Sequence, residues 1–333
     1  MTQASDARKT ILTGDRPTGN LHLGHYVGSL RNRVKLQEEY RTFILIADVQ
    51  ALTTHFEHPE LLRENTLNVV ASYLAAGIDP EKATLVRQSG IPEIHELFVY
   101  FSLFVTVNQL QQNPTIKNEM RLGYNKGHSL AFLSYPVHQS ADIAVFGAHL
   151  VPVGQDQVPH IEEARDLVGK MNAQYGTELI EPEALVGTAQ ALPGIDGQEK
   201  MSKSLGNAIF LCDEDKEIRA KIQKTKTDPA RLKIDDKGHP DICTVFKYYE
   251  AFFPEETAAV RQKCENGAWG CGHCKALINE RLGAFIGPMR ETYKRVRADE
   301  GYLWGLVNRG TLSARETAAK TLDHVRAKMH LKA

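Results

Sequence analysis

The 333 residues contain no run of about 18 apolar side chains, so no membrane span is expected. The opening Met1-Thr2-Gln3-Ala4-Ser5-Asp6 lacks the basic-then-apolar pattern of a secretory signal, and a cytoplasmic protein is the expectation. Charge of one sign is also missing. With 40 Lys and Arg against 41 Asp and Glu the net charge is −1, which excludes a globally basic nucleic-acid binder and leaves any RNA contact to local patches. Cysteine is scarce. Four of the five cysteines crowd between Cys243 and Cys274, which suggests a metal or a cluster rather than a disulfide scaffold. There is no internal repeat and no low-complexity segment. The remaining composition is that of a globular protein, and the length favours two domains.

Residues 1–205 alternate short β-rich runs with longer helical patterns. Thr10-Ile11-Leu12-Thr13 reads as a strand, and a turn follows with Gly14, Pro17 and Gly19. A helix is predicted from about His22 to Tyr40. Phe43-Ile44-Leu45-Ile46-Ala47 is continuously apolar, as a strand buried on both faces must be. Pro59 enters a second helix with Leu62, Thr66, Val69, Val70, Tyr73 and Leu74 on one face, and Gly77 ends it. Thr84-Leu85-Val86 is a further strand. This order predicts a parallel sheet with right-handed crossovers and ligands at the carboxyl ends of its strands, near the switch in strand order. Beyond about residue 205 the strands stop. Asp213 is predicted to cap a helix bearing Ile218 and Ile222, and Ser313-Ala314-Arg315-Glu316 reads as a capping box near the end.

Two short motifs carry the chemistry. His22-Leu23-Gly24-His25 sits between a strand and a helix, where free backbone N–H groups and the helix dipole favour an anion. Both histidines could donate to phosphate oxygens, and Gly24 lets a ligand come close. No second pair of ligands with the usual spacing lies near, so zinc is disfavoured there. Lys200-Met201-Ser202-Lys203-Ser204 follows Gly194 and Gly197 and is expected to be a mobile loop whose two ammonium groups clamp departing phosphates. Either motif alone has a bland reading, as surface histidines or a solvated basic turn.

Together they resemble the two signatures of class I aminoacyl-tRNA synthetases, and the chain is similar to the tryptophanyl-tRNA synthetases nearly throughout. The likeness includes residues 14–30, Ala47-Asp48-Val49-Gln50-Ala51-Leu52-Thr53, residues 77–82, Tyr135-Pro136-Val137 with Ala141-Asp142-Ile143, and Val153-Gly154-Gln155-Asp156-Gln157 with His160. The resemblance implies an α/β fold. A Rossmann-like doubly wound parallel sheet fills a catalytic domain over residues 1–205. A C-terminal all-α, anticodon-reading domain covers residues 206–333, its final helix able to pack back on the first. It implies a bacterial enzyme using ATP and Mg²⁺, with L-tryptophan and tRNA(Trp) as partners, working as a homodimer.

For the site residues, the resemblance implies that His22, His25, Lys200 and Lys203 are catalytic. Asp15, Arg16, Pro17, Gly24 and His25 lie along ATP. Gly154, Gln155, Asp156, Ala191 and Leu192 contact its nucleoside. Lys200, Met201, Ser202, Lys203 and Ser204 hold the pyrophosphate end, with Lys117 a weaker candidate. Asp142 accepts the indole N–H, joined in the tryptophan pocket by Tyr135, Gln139 and Gln157. An indole offers one donor and no acceptor, so a carboxylate suits it. Gln139 stands where many relatives have methionine, and His138 and Ser140 are also polar. Tyr135, Gln139 and Asp142 share one helix face with the spacing seen in tyrosyl-tRNA synthetases, so a phenol remains an alternative to an indole.

Cys243, Cys264, Cys271 and Cys274, the last three spaced C-x6-C-x2-C, are expected to hold a [4Fe–4S] cluster or zinc, as a similar subset of bacterial relatives does. Arg219, Lys221, Lys224, Lys226, Arg231 and Lys233, and then Arg290, Lys294, Arg295 and Arg297, are candidate RNA contacts. Two other function classes compete. A nucleotidylyltransferase acting without RNA would lack the lysine loop. A paralogue turned regulatory partner would not need both motifs intact.

Overall fold

Five parallel strands, β1 (Thr10–Asp15), β2 (Arg41–Ile46), β3 (Ala83–Arg87), β4 (Leu150–Val153) and β5 (Glu183–Val186), stand in the order β3-β2-β1-β4-β5. The computed structural model describes residues 8–121, 129–187, 191–198, 200–231, 233 and 236–332. The first six residues, on which the reading of no secretory signal rests, lie outside that set. β2 is flanked on both sides and covered on both faces, which explains why residues 42–46 are all buried. The strand order turns back between β1 and β4, so the crevice for a ligand opens beyond Asp15 and Val153.

The crossover helices follow the sequence pattern closely. We label α1 (Asp48–His55), α2 (Leu61–Ala76), α3 (Pro92–Ser102), α4 (Leu130–Val145) and α5 (Val158–Tyr175). Gly77 ends α2 at φ +104°, the left-handed conformation that glycine adopts without steric cost. The predicted helix from His22 to Tyr40 divides. A single α-turn, Leu23–His25, passes into a π-helical turn at Tyr26–Leu30 and then into Arg31–Leu36. Such wide turns often mark functional sites.

The second half is helical, as expected, and includes α6 (Asp215–Lys224), α7 (Cys271–Arg297) and α8 (Glu300–Lys328). No helix among the described residues is long and apolar enough to cross a membrane. Two local expectations fail. Asp213 does not cap α6; its carboxylate accepts the Phe210 N–H at 2.8 Å and pairs with Lys221 at 2.5 Å, and Glu214 takes the cap position. Ser313 is no helix start either. α8 runs through it, capped far earlier by Asp299, which accepts the Tyr302 N–H. Tertiary burial overrides the local signal: Leu303, Val307, Thr311, Ala314, Ala318, Leu322 and Val325 form one continuous buried stripe. That stripe lays α8 against β3 and α3 in the first half of the chain.

Candidate functional site

The two motifs meet. Leu23 donates its backbone N–H to Ile209 and Leu211 donates to Leu21, so the segment after the lysine loop runs antiparallel to the approach to the histidine motif. Gly24 lies between them. A Cβ there would fall 2.9 Å from the His22 ring and 3.3 Å from Met201, contacts too close for any side chain. Met201 is buried, and its N–H donates to Leu192. Ser202 donates to the Asn207 side chain at 2.7 Å, and Asn207 donates in turn to Asp196. Lys203 donates to the Gly19 carbonyl at 2.9 Å. The lysine loop, expected to be mobile, is thus tied at three points in this conformation.

The histidines carry no charge. Burial, then the charges of His25, Lys203 and Lys200, push the His22 imidazole down to about 2. Burial brings His25 down to about 4 despite Asp15. His22 donates its backbone N–H to His25 Nδ1 at 3.2 Å, which fixes that nitrogen as an acceptor and leaves Nε2–H free to donate. Burial also pulls the Lys203 ammonium down to about 8, against the attraction of Asp15. A dry site with two neutral imidazoles and a destabilised ammonium is one that an anionic ligand would relieve.

Asp15, at the end of β1, receives Arg33 at 2.5 Å and the Tyr73 hydroxyl at 2.8 Å. Burial alone would raise its pKa, but Arg33 and the other neighbours hold it below the usual carboxylate range. Its carboxylate therefore anchors the base of the turn. Arg16 is exposed and Pro17 buried. Beyond β4, Gly154, Gln155 and Asp156 are exposed at the crevice, and Gln157 donates to Asp156 at 3.1 Å. Ala191 is exposed beside buried Leu192; Lys117 is exposed and donates to Gln112 at 2.5 Å.

Asp142 lies under the sheet's carboxyl edge, 3% exposed. The Gln88 amide donates to its two oxygens at 2.8 and 2.9 Å. Burial pushes this carboxyl up to about 8; Gln88 opposes the shift and Asp48 adds to it. Tyr135 stands about two helical turns earlier with its hydroxyl 3.5 Å from His160 Nε2, and burial followed by Glu119 raises its pKa. Gln139 is half-buried between them and makes no side-chain hydrogen bond among the described residues.

Sequence reasoning missed Gln88, Gln50, Asp48 and Asn207. Asp48 and Gln50 stand in a segment picked out for its likeness but given no role there. Gln88 and Asn207 are fully buried amides, and nothing in a single sequence separates these from exposed ones.

The structure bears on two further expectations. Among the described residues no three His, Cys, Asp or Glu side chains are grouped to hold a metal ion, and Cys243, Cys264, Cys271 and Cys274 are free thiols. The four feel one another: burial, then Cys264, Cys243 and Cys271, pushes Cys274 up to about 12, so it is a neutral thiol. Three of the four residues of the second basic stretch are paired within the chain, while Arg295 is exposed. Arg290 pairs with Asp215, Lys294 with Glu214 and Arg297 with Glu64, at 2.5–2.7 Å.

Residues 4–287 match the family described as tRNA synthetases class I (W and Y). A tryptophan–tRNA ligase of Clostridium longisporum is 45% identical over 96% of both chains, and one from Thermotoga maritima 43% identical over 96% of this chain and 99% of its own. The crystal structure of tryptophanyl-tRNA synthetase from Campylobacter jejuni, complexed with ADP and tryptophan, superposes with a TM-score of 0.87 at 32% identity, covering 97% of this chain and all of that one. A tyrosyl-tRNA synthetase from Archaeoglobus fulgidus, at 19% identity and a TM-score of 0.69, shares the fold.

Proposed function

The chain belongs to the class I tRNA synthetases of the W and Y family and acts as a tryptophan–tRNA ligase, and on that premise we propose how its residues divide the work. The carboxylate of L-tryptophan attacks the α-phosphate of ATP, pyrophosphate leaves, and the acyl group passes to the 3′ end of tRNA(Trp). No protein nucleophile is needed, and catalysis is positioning and electrostatics. His22 and His25 act as neutral donors to the phosphates. Lys200 and Lys203 hold the outgoing pyrophosphate, whose charge is shared with Mg²⁺ carried on the nucleotide. Asp15, Arg16, Pro17 and Gly24 shape the phosphate turn, Met201, Ser202 and Ser204 the facing loop. Gly154, Gln155, Asp156 and Ala191 take the nucleoside. Asp142 accepts the indole N–H, with Tyr135, Gln139 and Gln157 about it.

The observation that carries this reading is the buried Asp142 carboxyl, both of whose oxygens accept from the Gln88 amide. ATP–pyrophosphate exchange tests it. Tryptophan should support exchange and tyrosine should not, and Asp142→Ala should abolish exchange with tryptophan. Unchanged exchange in the variant refutes the role.

The finer parts of the proposal have their own supports. A homodimer is supported by exposed Val99, Leu103, Val107 and Leu130 around the ends of α3 and α4, a set of apolar side chains that a second copy would cover; sedimentation at micromolar protein decides it. Contact with tRNA falls to exposed Arg219, Lys224 and Lys226, whose loss should flatten the salt dependence of tRNA affinity. The helical residues 206–333 would then read the anticodon while residues 1–205 carry the chemistry. A [4Fe–4S] or zinc site at the four cysteines rests on their spacing in the sequence and on the electrostatic influence of Cys264, Cys243 and Cys271 on Cys274; anaerobic protein with no iron, no zinc and no absorbance near 400 nm refutes it.

A further inference from the structure

Behind Asp142 the side chains of four elements form one hydrogen-bonded chain. Gln88, at the end of β3, is wholly buried. Its Oε1 accepts the backbone N–H of Gln50 at 3.0 Å, so the orientation of its amide is fixed and its Nε2 must donate. One face of that NH₂ meets Asp142; the other lies 3.3 Å from His138 Nδ1. Gln50 Nε2 lies 3.0 Å from the same nitrogen and also donates to the Tyr135 carbonyl, which fixes its orientation as well. Two amide donors thus converge on His138 Nδ1 and make it an acceptor. Its Nε2 then carries the proton and donates to His95 Nδ1, 2.9 Å away on α3. The two imidazoles stack with centroids 5.1 Å apart.

We propose that Gln88, oriented by the His138–His95 pair, is a positioning residue for amino-acid selection: it presents only N–H groups to Asp142 and so holds that carboxyl as an acceptor for a ring donor. The inference rests on the reading of Asp142 given above and extends it to three residues that do not touch the substrate. The logic is one of direction. An amide free to flip could offer Asp142 either its NH₂ or its oxygen, and an oxygen there would favour a protonated carboxyl, which can donate. The chain from Gln50 and His138 keeps only N–H groups on Asp142, which favour its ionised form and oppose the upward push of burial. Four residues separate His138 from Asp142, which places both on the same face of α4 and lets one amide bridge them. Burial, with His95 beside it, pushes His138 down to about 4, so the imidazole keeps its accepting nitrogen at neutral pH. Asp48 does not enter the chain: it is occupied by the N–H of Val49 and by the N–H and hydroxyl of Ser89.

The test is discrimination by the N–H itself. Full-length enzyme is assayed by ATP–pyrophosphate exchange with tryptophan and with its benzothienyl analogue, in which sulfur replaces the indole N–H. The variants are Gln88→Leu, His138→Phe, His138→Gln and Asp142→Asn. Sites built around a substrate donor reject analogues lacking it by large factors, and removing one supporting donor should cut the ratio by about tenfold or more. The expected result is that Gln88→Leu and His138→Phe lose discrimination through a raised KM for tryptophan, with KM for ATP unchanged. His138→Gln, which can return an accepting oxygen, should recover much of it. An unchanged KM for ATP also certifies that each variant is folded. Discrimination lost in Asp142→Asn but kept in Gln88→Leu and His138→Phe overturns the relay and leaves the Asp142 reading intact. Discrimination kept in all of them overturns both.

Discussion

In the role proposed for it, Asp142 trades stability for selectivity. Its folded pKa, about 8, lies above the ordinary 3.8, so the folded chain binds this proton more tightly than the unfolded chain does. The sign follows by linkage. The penalty is absent below about pH 4, grows as pH rises through the interval between the two values, and levels off above about pH 8. At roughly 1.4 kcal/mol per unit the penalty is on the order of several kcal/mol. Asp142→Asn removes it, because a neutral amide can still accept the Gln88 N–H. The variant should therefore melt higher than the wild type at pH 8 and no higher at pH 4, while losing its discrimination for the indole N–H in exchange. Scanning calorimetry at the two pH values checks this; a lower melting point at pH 8 would show that burial of the carboxylate costs little. The two motif histidines illustrate the opposite case. They were legible as candidate sites from their spacing, but their neutrality was not, because it comes from burial and from lysines 175 or more positions away in sequence.

At the scale of elements, the strands and crossover helices were legible because their apolar periods are strong. β2 is a continuous apolar run, and α2 carries its own glycine stop. The errors at Asp213 and Ser313 share one cause. Both are good local capping residues, but other partners took them: Phe210 and Lys221 hold the Asp213 carboxylate, and the surfaces of β3 and α3 hold α8 through Ser313. Nothing local announces that α8 crosses back to lie on the sheet. The closeness of that crossing is measurable. A Cβ at Gly310 would fall 2.2 Å from the Leu85 carbonyl oxygen, and one at Gly90 would fall 2.5 Å from the Thr311 methyl. Thr311 also accepts the Arg87 N–H at 2.9 Å, one residue before Gln88. The last helix thus helps to set the strand end from which Gln88 projects. Gly310→Ala should force the two backbones apart and cost about 1–3 kcal/mol, read as a melting point lower by several degrees. Because Gln88 shifts with β3, KM for tryptophan should rise more than KM for ATP. An unaltered melting point would mean that α8 can slide without strain.

For the molecule as a whole, the division of labour proposed between residues 1–205 and 206–333 is not a division of the core. One buried apolar cluster includes Ile44 and Ile46 of β2, Leu67 and Tyr73 of α2, Leu192 and Met201 beside the lysine loop, Ile218 and Ile222 of α6, and Ile278, Leu282 and Ile286 of α7. Polar ties cross the same boundary. The Tyr293 hydroxyl lies 3.0 and 3.1 Å from the side-chain oxygens of Asn20 and Asn68, and Arg297 donates to Asn68 at 2.8 Å. Cutting the chain at residue 205 would therefore bare one face of α2 and the segment around the lysine loop, and would also remove α8 from β3. Exposed apolar area of that kind costs roughly 25 cal/mol per Å², and a domain with a net stability of about 5–15 kcal/mol cannot absorb the loss of a dozen buried side chains. We expect the full chain to unfold in one calorimetric transition, with the near-ultraviolet and far-ultraviolet signals moving together, and residues 1–205 alone to show no cooperative melt. Two separate transitions in the full chain, or a cooperative melt of residues 1–205, would show that the halves are independent folding units and that the shared cluster contributes little. A single transition has a functional corollary: Met201 belongs to that common core, so the lysine loop, proposed to face the phosphates, is anchored by the helical half as much as by the sheet, and a destabilising change in α7 should weaken pyrophosphate exchange without touching either motif.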